Sequence, residues 1–249
     1  VTEYTQIAML TTEAAILKIL EEKGIHSDVN AGLSLGEYGA LIASDVMSLE
    51  DAFHVVRQRG ILMQEAVPTG GAMCAVLGMD GNKIAEICEK VKGIVSVANY
   101  NCPGQIVITG EEKAVEEACE RLKEAGARRC VPLKVSGPFH SIMLKEAGEK
   151  LGEVLDKVNI KEIRTPYITN VTADYVTESG MVKSLLEKQV YSSVKWQQSV
   201  EKMIEDGVDT FIEIGPGKTL TGFLKKINRN VKEFNIEKIE DLEKVLKEI

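Results

Sequence analysis

Long apolar runs are missing from the 249 residues. Stretches such as Ile84–Ile87 are short and broken by charge, far below the roughly 20 residues that a membrane-spanning helix needs. Positive charge is in deficit: 30 Lys and Arg stand against 38 Asp and Glu, a formal net charge of −8. Such a chain lacks the overall basic character that draws nucleic-acid binders to phosphate, so no nucleic-acid partner is expected, and no membrane either. Cysteine is sparse. The five positions, Cys74, Cys88, Cys102, Cys119 and Cys130, are odd in number and contain no C-x-x-C. Zinc-motif and thioredoxin spacings are therefore absent. The expectation is reduced thiols in a cytoplasmic protein with no metal and no bound cofactor. No signal peptide is visible. What is present is the balance of an ordinary globular protein, 44% hydrophobic and 27% charged.

Helical periodicity opens the chain. Ile7, Leu10, Ala14, Leu17 and Leu20 recur three and four apart, and Gly24 stops the pattern. A strand around Val29–Ala31, a helix from Leu35 to Ala43 and a second helix from Ser48 to Ala66 follow. Ser48 and Asp51 provide the S-x-x-D start of that second helix. Between 68 and 135 the pattern changes to strand, helix, strand, strand, helix, strand, the order of a ferredoxin-like unit. Residues 1–67 plus 136–249 are expected to form a discontinuous α/β domain. Residues 68–135 are expected to form an inserted subdomain. The later segments read as helices over Ser141–Val158, Met181–Gln189, Gln198–Asp206, Leu220–Ile227 and Asp241–Ile249, with strands at Tyr167–Asn170 and Thr210–Glu213.

Gly32-Leu33-Ser34-Leu35-Gly36 fits G-x-S-x-G between a predicted strand and a predicted helix. Glycines at a sharp strand-to-helix turn push the serine hydroxyl into the open, beside helix N-terminal N–H groups that can face an oxyanion. A plain N-cap serine would read the same. Only three histidines exist, so a base for Ser34 can be sought exhaustively. His26 sits in a polar loop and His54 within an amphipathic helix. His140 lies where the inserted unit returns to the first domain, the place for a cleft base. Arg57 and Arg59 are two apart on a helix, so only one of them can face a cleft. Gly215-Pro216-Gly217-Lys218-Thr219 resembles the end of a phosphate loop, but Ile212 stands where the first glycine belongs, so a strand-to-helix turn is the better reading.

Taken together, these residues resemble the malonyl-CoA:acyl carrier protein transacylases of fatty acid synthesis. Gly32-Leu33-Ser34-Leu35-Gly36-Glu37-Tyr38 resembles the family's G-H-S-L-G-E-Y. Arg59-Gly60-Ile61-Leu62-Met63-Gln64-Glu65-Ala66 resembles R-G-x-x-M-Q-E-A, and Asn101-Cys102-Pro103-Gly104-Gln105 resembles N-S-P-G-Q. His140, Gln189-Val190-Tyr191 with Trp196, and Gly215-Pro216-Gly217-Lys218 complete six ordered matches. The resemblance implies a hydrolase-like parallel-sheet α/β domain with an inserted ferredoxin-like subdomain. It implies a ping-pong acyltransferase with malonyl-CoA as substrate and the phosphopantetheine thiol of acyl carrier protein as acceptor. Ser34 would be the nucleophile and His140 the base, oriented by the Gln189 carbonyl. Leu35 would supply an oxyanion N–H. Arg59 would hold the malonyl carboxylate, with Asn101 and Phe139 beside the substrate. A bulky Phe before the histidine accompanies malonyl in related acyltransferases, whereas Ser in Y-A-S-H accompanies methylmalonyl. Arg128 and Arg129 match a basic pair that would meet the acidic carrier protein.

Two departures are noted. Leu33 stands where the family has His. The family's opening strand and G-Q-G loop, one source of oxyanion donors, are not seen before Val1. The rival readings are a serine esterase or thioesterase, an interaction module without activity, and an acyltransferase unit cut from a polyketide synthase. A buried cation at Arg59 separates the first from a malonyl transferase, because hydrolases of neutral esters have no need of one.

Overall fold

Apolar spacing and capping chemistry account for the first helices. The computed structural model describes residues 2–135 and 137–249; Val1 and the expected domain-return residue Ser136 lie outside the described residues. Helix α1 (Thr2–Glu22) buries Leu10 and Leu20 and ends before Gly24, whose φ of 76° suits glycine. Strand β1 is short (Asn30–Ala31), and α2 (Gly36–Ala43) follows it at once. Helix α3 (Leu49–Glu65) starts at Ser48, whose hydroxyl accepts the Asp51 N–H at 3.1 Å and donates to Asp51 Oδ2 at 2.9 Å. No strand separates α2 from α3. The parallel partner of β1 comes instead from β6 (Tyr167–Ile168), with Asn30 opposite Tyr167 and Ala31 opposite Ile168. Strand β7 (Tyr175–Val176) completes that sheet.

The middle of the chain forms a four-stranded antiparallel sheet in the order β3-β4-β2-β5: β2 (Gly71–Leu77), β3 (Val95–Cys102), β4 (Gln105–Glu111) and β5 (Arg129–Pro132). Helices α4 (Gly81–Glu89) and α5 (Glu112–Glu124) share its buried cluster, in which Ile84, Val115, Ala118 and Leu122 meet Val76, Ile106 and Ile108. Full burial of each Val, Leu or Ile among them contributes about 1.5–3 kcal/mol.

The return segment has one 3-10 turn (Ile142–Leu144) before α6 (Lys145–Leu155), so the long helix expected over Ser141–Val158 is trimmed at both ends. Then come α7 (Val182–Gln189), α8 (Trp196–Glu205), β8 (Thr210–Ile214), α9 (Thr219–Ile227), β9 (Lys232–Ile236) and α10 (Ile239–Glu248). Strands β8 and β9 pair in parallel, Thr210 opposite Lys232 and Ile214 opposite Ile236. Neither β7 nor β9 was expected. Lys232, Glu233 and Asn235 dilute the apolar signal of β9 to Phe234 and Ile236 alone. The main core gathers Tyr38 and Leu41 of α2, Val55, Val56 and Met63 of α3, Leu151 of α6 and Leu186 of α7. The architecture is α/β. No helix among the described residues is long and apolar enough to cross a membrane.

Candidate active site

The turn between β1 and α2 is sterically forced. A Cβ at Gly32 would stand 1.9 Å from the carbonyl carbon of Gly36, so position 32 admits only glycine. Gly36 itself faces open space. Ser34 takes φ 55°, a left-handed conformation that few non-glycine residues adopt and that costs of order 1–3 kcal/mol. Side chains elsewhere hold it there. Asn170 Oδ1 accepts the Ser34 N–H at 2.6 Å, and Asn170 Nδ2 donates to the Gly32 carbonyl at 2.7 Å. Gln189 Nε2 donates to the Ser34 carbonyl at 2.9 Å. The Leu35 N–H, next in the turn, makes no backbone hydrogen bond among the described residues.

His140 arrives from the opposite direction. Its approach depends on Gly71, where a Cβ would lie 2.4 Å from Pro138 Cδ. His140 also has a left-handed φ, 58°, and is 4% exposed. Its Nδ1 lies 2.8 Å from the Gln189 carbonyl and its Nε2 lies 2.8 Å from Ser34 Oγ. A carbonyl only accepts, so Nδ1 carries the hydrogen and Nε2 is free to accept from the serine hydroxyl. His26 and His54 are exposed and take no part.

Arg59 reaches the same point from α3. It is 1% exposed, while Arg57 on the same helix lies over the Tyr4 ring at 5.0 Å. Arg59 Nη2 donates to Ser34 Oγ at 3.0 Å and to Gln189 Oε1 at 3.1 Å, and Nη1 donates to Gln6 Oε1 at 2.7 Å. Each of these acceptors is neutral, and the buried Nε has no acceptor among the described residues. A desolvated guanidinium whose direct acceptors are all neutral, with a donor to spare, is well suited to an anionic group held beside Ser34.

The buried charges shape the proton chemistry. Burial pushes the His140 imidazole down to about 4, and the Arg59 cation pushes the same way, while hydrogen bonds to the Gln189 and Ser192 backbones oppose them. The imidazole is neutral at ordinary pH and able to accept a proton. Burial raises the Glu37 carboxyl to about 7, against the Asn170 N–H at 3.0 Å, the Gln189 Nε2 at 2.7 Å and the Arg59 charge, which all lower it. Burial lowers the Arg59 guanidinium, but guanidinium is so strong a base that it stays charged.

Of the residues expected from sequence, Ser34, His140, Arg59 and Gln189 converge, with Leu35 adjoining. Asn101 is buried at the end of β3, beside a register shift in the β3–β4 pairing, and makes no hydrogen bond to the Ser34–His140 pair among the described residues. Phe139 packs on Met73, Ala98 and Val107 of the four-stranded sheet and also against the main core. Arg128 and Arg129 are exposed, before and at the start of β5. Leu33 packs into an apolar cluster with Cys102, Ile168 and Val194. Sequence reasoning missed Gln6, Glu37 and Asn170. Gln6 carried a signal, since a polar residue four before Leu10 interrupts the buried stripe of α1. Asn170 carried none.

The geometry agrees with comparison to known proteins. The acyl transferase domain family matches residues 1–242. A malonyl CoA-acyl carrier protein transacylase of Bacillus subtilis is 51% identical over 242 residues, 96% of this chain and 76% of that protein. A crystal structure of a malonyl CoA-acyl carrier protein transacylase from Clostridium perfringens superposes with a TM-score of 0.96 at 49% identity, over 99% of this chain and 79% of that one. A malonyl-transacylase in complex with a type II PKS acyl-carrier protein superposes with a TM-score of 0.96 at 39% identity, over 100% of this chain and 82% of that one. The chain belongs to the acyl transferase domain family, among its malonyl CoA-acyl carrier protein transacylases.

Proposed function

We propose that the chain moves a malonyl group from malonyl-CoA to the phosphopantetheine thiol of an acyl carrier protein through an ester on Ser34. One observation carries this reading: Ser34 Oγ lies 2.8 Å from the His140 imidazole and 3.0 Å from the Arg59 guanidinium. Nucleophile, base and a cation for the free carboxylate thus meet at one atom.

In the first half-reaction Ser34 Oγ attacks the thioester carbonyl while His140 Nε2 takes the hydroxyl proton. The oxyanion forms beside the Leu35 N–H at the start of α2. The intermediate collapses, the carbon–sulfur bond breaks, and His140 returns the proton to the leaving thiolate of coenzyme A. The imidazolium formed in between donates to the Gln189 carbonyl, which does the orienting that a carboxylate does in other serine enzymes. In the second half-reaction the carrier-protein thiol gives its proton to His140, attacks the ester, and Ser34 leaves with the proton. No cofactor enters either step; coenzyme A is part of the substrate.

Arg59 supplies selectivity. Malonyl carries a carboxylate that acetyl lacks, and a guanidinium fork can hold it in two hydrogen bonds. Phe139, next to His140, would crowd a substituent on the malonyl α-carbon, and Asn101 would stand near the acyl chain. The exposed Arg128 and Arg129 would meet the acidic carrier protein, since an enzyme of net charge −8 needs a local basic patch to do so. In this reading residues 1–67 and 136–249 form the catalytic unit and 68–135 the insertion.

Intact mass spectrometry after brief exposure to malonyl-CoA tests the proposal. A malonyl adduct on the native chain that is absent from Ser34→Ala is expected. An adduct that survives in Ser34→Ala refutes it. Release of malonate in place of transfer when the carrier protein is added would favour the hydrolase reading.

A further inference from the structure

The cysteine spacing in sequence excludes every common metal motif, yet the fold undoes that spacing. The Sγ atoms of Cys74, Cys119 and Cys130 all lie within 4.8 Å of one another. Three separate elements bring them there. Cys74 and Val76 point to one face of β2, and Cys130 of β5 is in register with Val76, so Cys130 and Cys74 are diagonal neighbours on one face of the sheet. Helix α5 covers that face and lowers Cys119 onto the pair. None of the three is in a disulfide. Cys74 is buried, whereas Cys119 and Cys130 are half-buried.

We infer that Cys74, Cys119 and Cys130 form a three-thiolate site for a soft divalent cation of the Zn2+ type, separate from the Ser34 centre. Zinc–sulfur bonds of about 2.3 Å in tetrahedral geometry place sulfurs roughly 3.8 Å apart, so rotation of the three side chains by less than a bond length closes the cage. Thiolate sulfur selects soft ions over Mg2+ or Ca2+. Charge favours a divalent ion over a monovalent one. Three thiolates and Zn2+ leave one negative charge, and Lys123, one helical turn beyond Cys119, exerts its field on all three sulfurs. Each S–H gives its proton to buffer on binding, no electron moves, and water fills the fourth position. The ion would tie the edge strand β5 to β2 and α5.

The test is direct. Reduced, desalted chain is equilibrated with Zn2+, passed through a second desalting column, and its metal counted. One retained ion per chain is expected, with slower alkylation of Cys119 and Cys130 by iodoacetamide and no change at Cys102. Cys119→Ser and Cys130→Ser should each weaken binding at least tenfold, while His140→Ala should retain it. Titration with Cd2+ should raise a thiolate charge-transfer absorption in the native chain, a readout that needs no variant. No retained Zn2+ and no Cd2+ band would overturn the inference. So would binding unaffected in both serine variants, or binding lost in His140→Ala. A disulfide among the three cysteines in freshly purified chain, found by non-reducing peptide mapping, would overturn it as well.

Discussion

Replacing Arg59 by Met keeps an unbranched stem of similar length and removes the charge. The guanidinium is almost wholly buried, its acceptors are neutral, and Nη2 already touches the nucleophile at 3.0 Å. A malonyl carboxylate that reaches this point would be desolvated with one cationic partner. Removing one partner of a buried, hydrogen-bonded pair costs about 3–5 kcal/mol. At about 1.36 kcal/mol per factor of ten, kcat/KM for malonyl-CoA should fall by about two to four powers of ten. Acetyl-CoA has no carboxylate to lose, so its rate should change far less, and the preference should collapse toward parity or invert. Arg59→Lys keeps the charge and loses the fork, and should fall between. The assay offers both thioesters at equal concentration and reads the ratio of malonyl to acetyl ester on Ser34 by intact mass. A native ratio retained in Arg59→Met would refute the assignment, whatever happened to the absolute rate.

The same substitution bears on pH. Folded His140 resists protonation, so acylation should persist well below the ordinary histidine range, with an acid limb near pH 4. Its contribution to stability is full above about 6.5 and is lost as pH falls toward about 4. Arg59→Met should move the limb upward; a limb at 6.5 in both proteins would contradict the burial argument. Asn170→Ala strips the elbow of the bonds to the Ser34 N–H and the Gly32 carbonyl, each worth about 1–3 kcal/mol when left unpaired and buried. Slower Ser34 acylation and a lower Tm are expected, and native values for both would show that the elbow holds itself. Gly32→Ala drives a methyl into backbone, and should lower stability by at least the roughly 1–3 kcal/mol of ordinary overpacking, read as a fall in the denaturant midpoint. Charge reversal at Arg128 and Arg129 should slow transfer to the carrier protein, most at low salt, and leave Ser34 acylation by malonyl-CoA unchanged. Transfer rates equal to native across a salt series would remove these two residues from the docking surface.

Local rules were legible before any coordinates. Gly32 and Ser34 announce a forced turn because the crowding is between residues four apart. Arg57 and Arg59 had to part company because two residues turn a helix by about 200°. Ser48 with Asp51 marked a helix start because capping is satisfied within one turn. The strand-helix order over 71–132 followed from alternation and period, since each element there buries a face of its own. Strands β7 and β9 escaped because β7 is only two residues long, in a hairpin with β6, and β9 carries Lys232, Glu233 and Asn235 among its five residues.

What tertiary structure alone decided is which distant residues touch. Nothing local to Asn170 says that its amide bridges Ser34 and Gly32, 136 and 138 residues away. Nothing in α1 says that Gln6 accepts from Arg59 in α3, though a polar residue in an apolar stripe hinted at a buried partner. The thiols make the same point in reverse. Their spacing along the chain argues against a metal site, because a motif read by spacing assumes that ligands come from one loop. Sheet register sets Cys130 diagonal to Cys74, and a helix face adds Cys119. Chain distance controls propensity and turns; contact across elements depends on how packed faces meet, and that is written only in three dimensions.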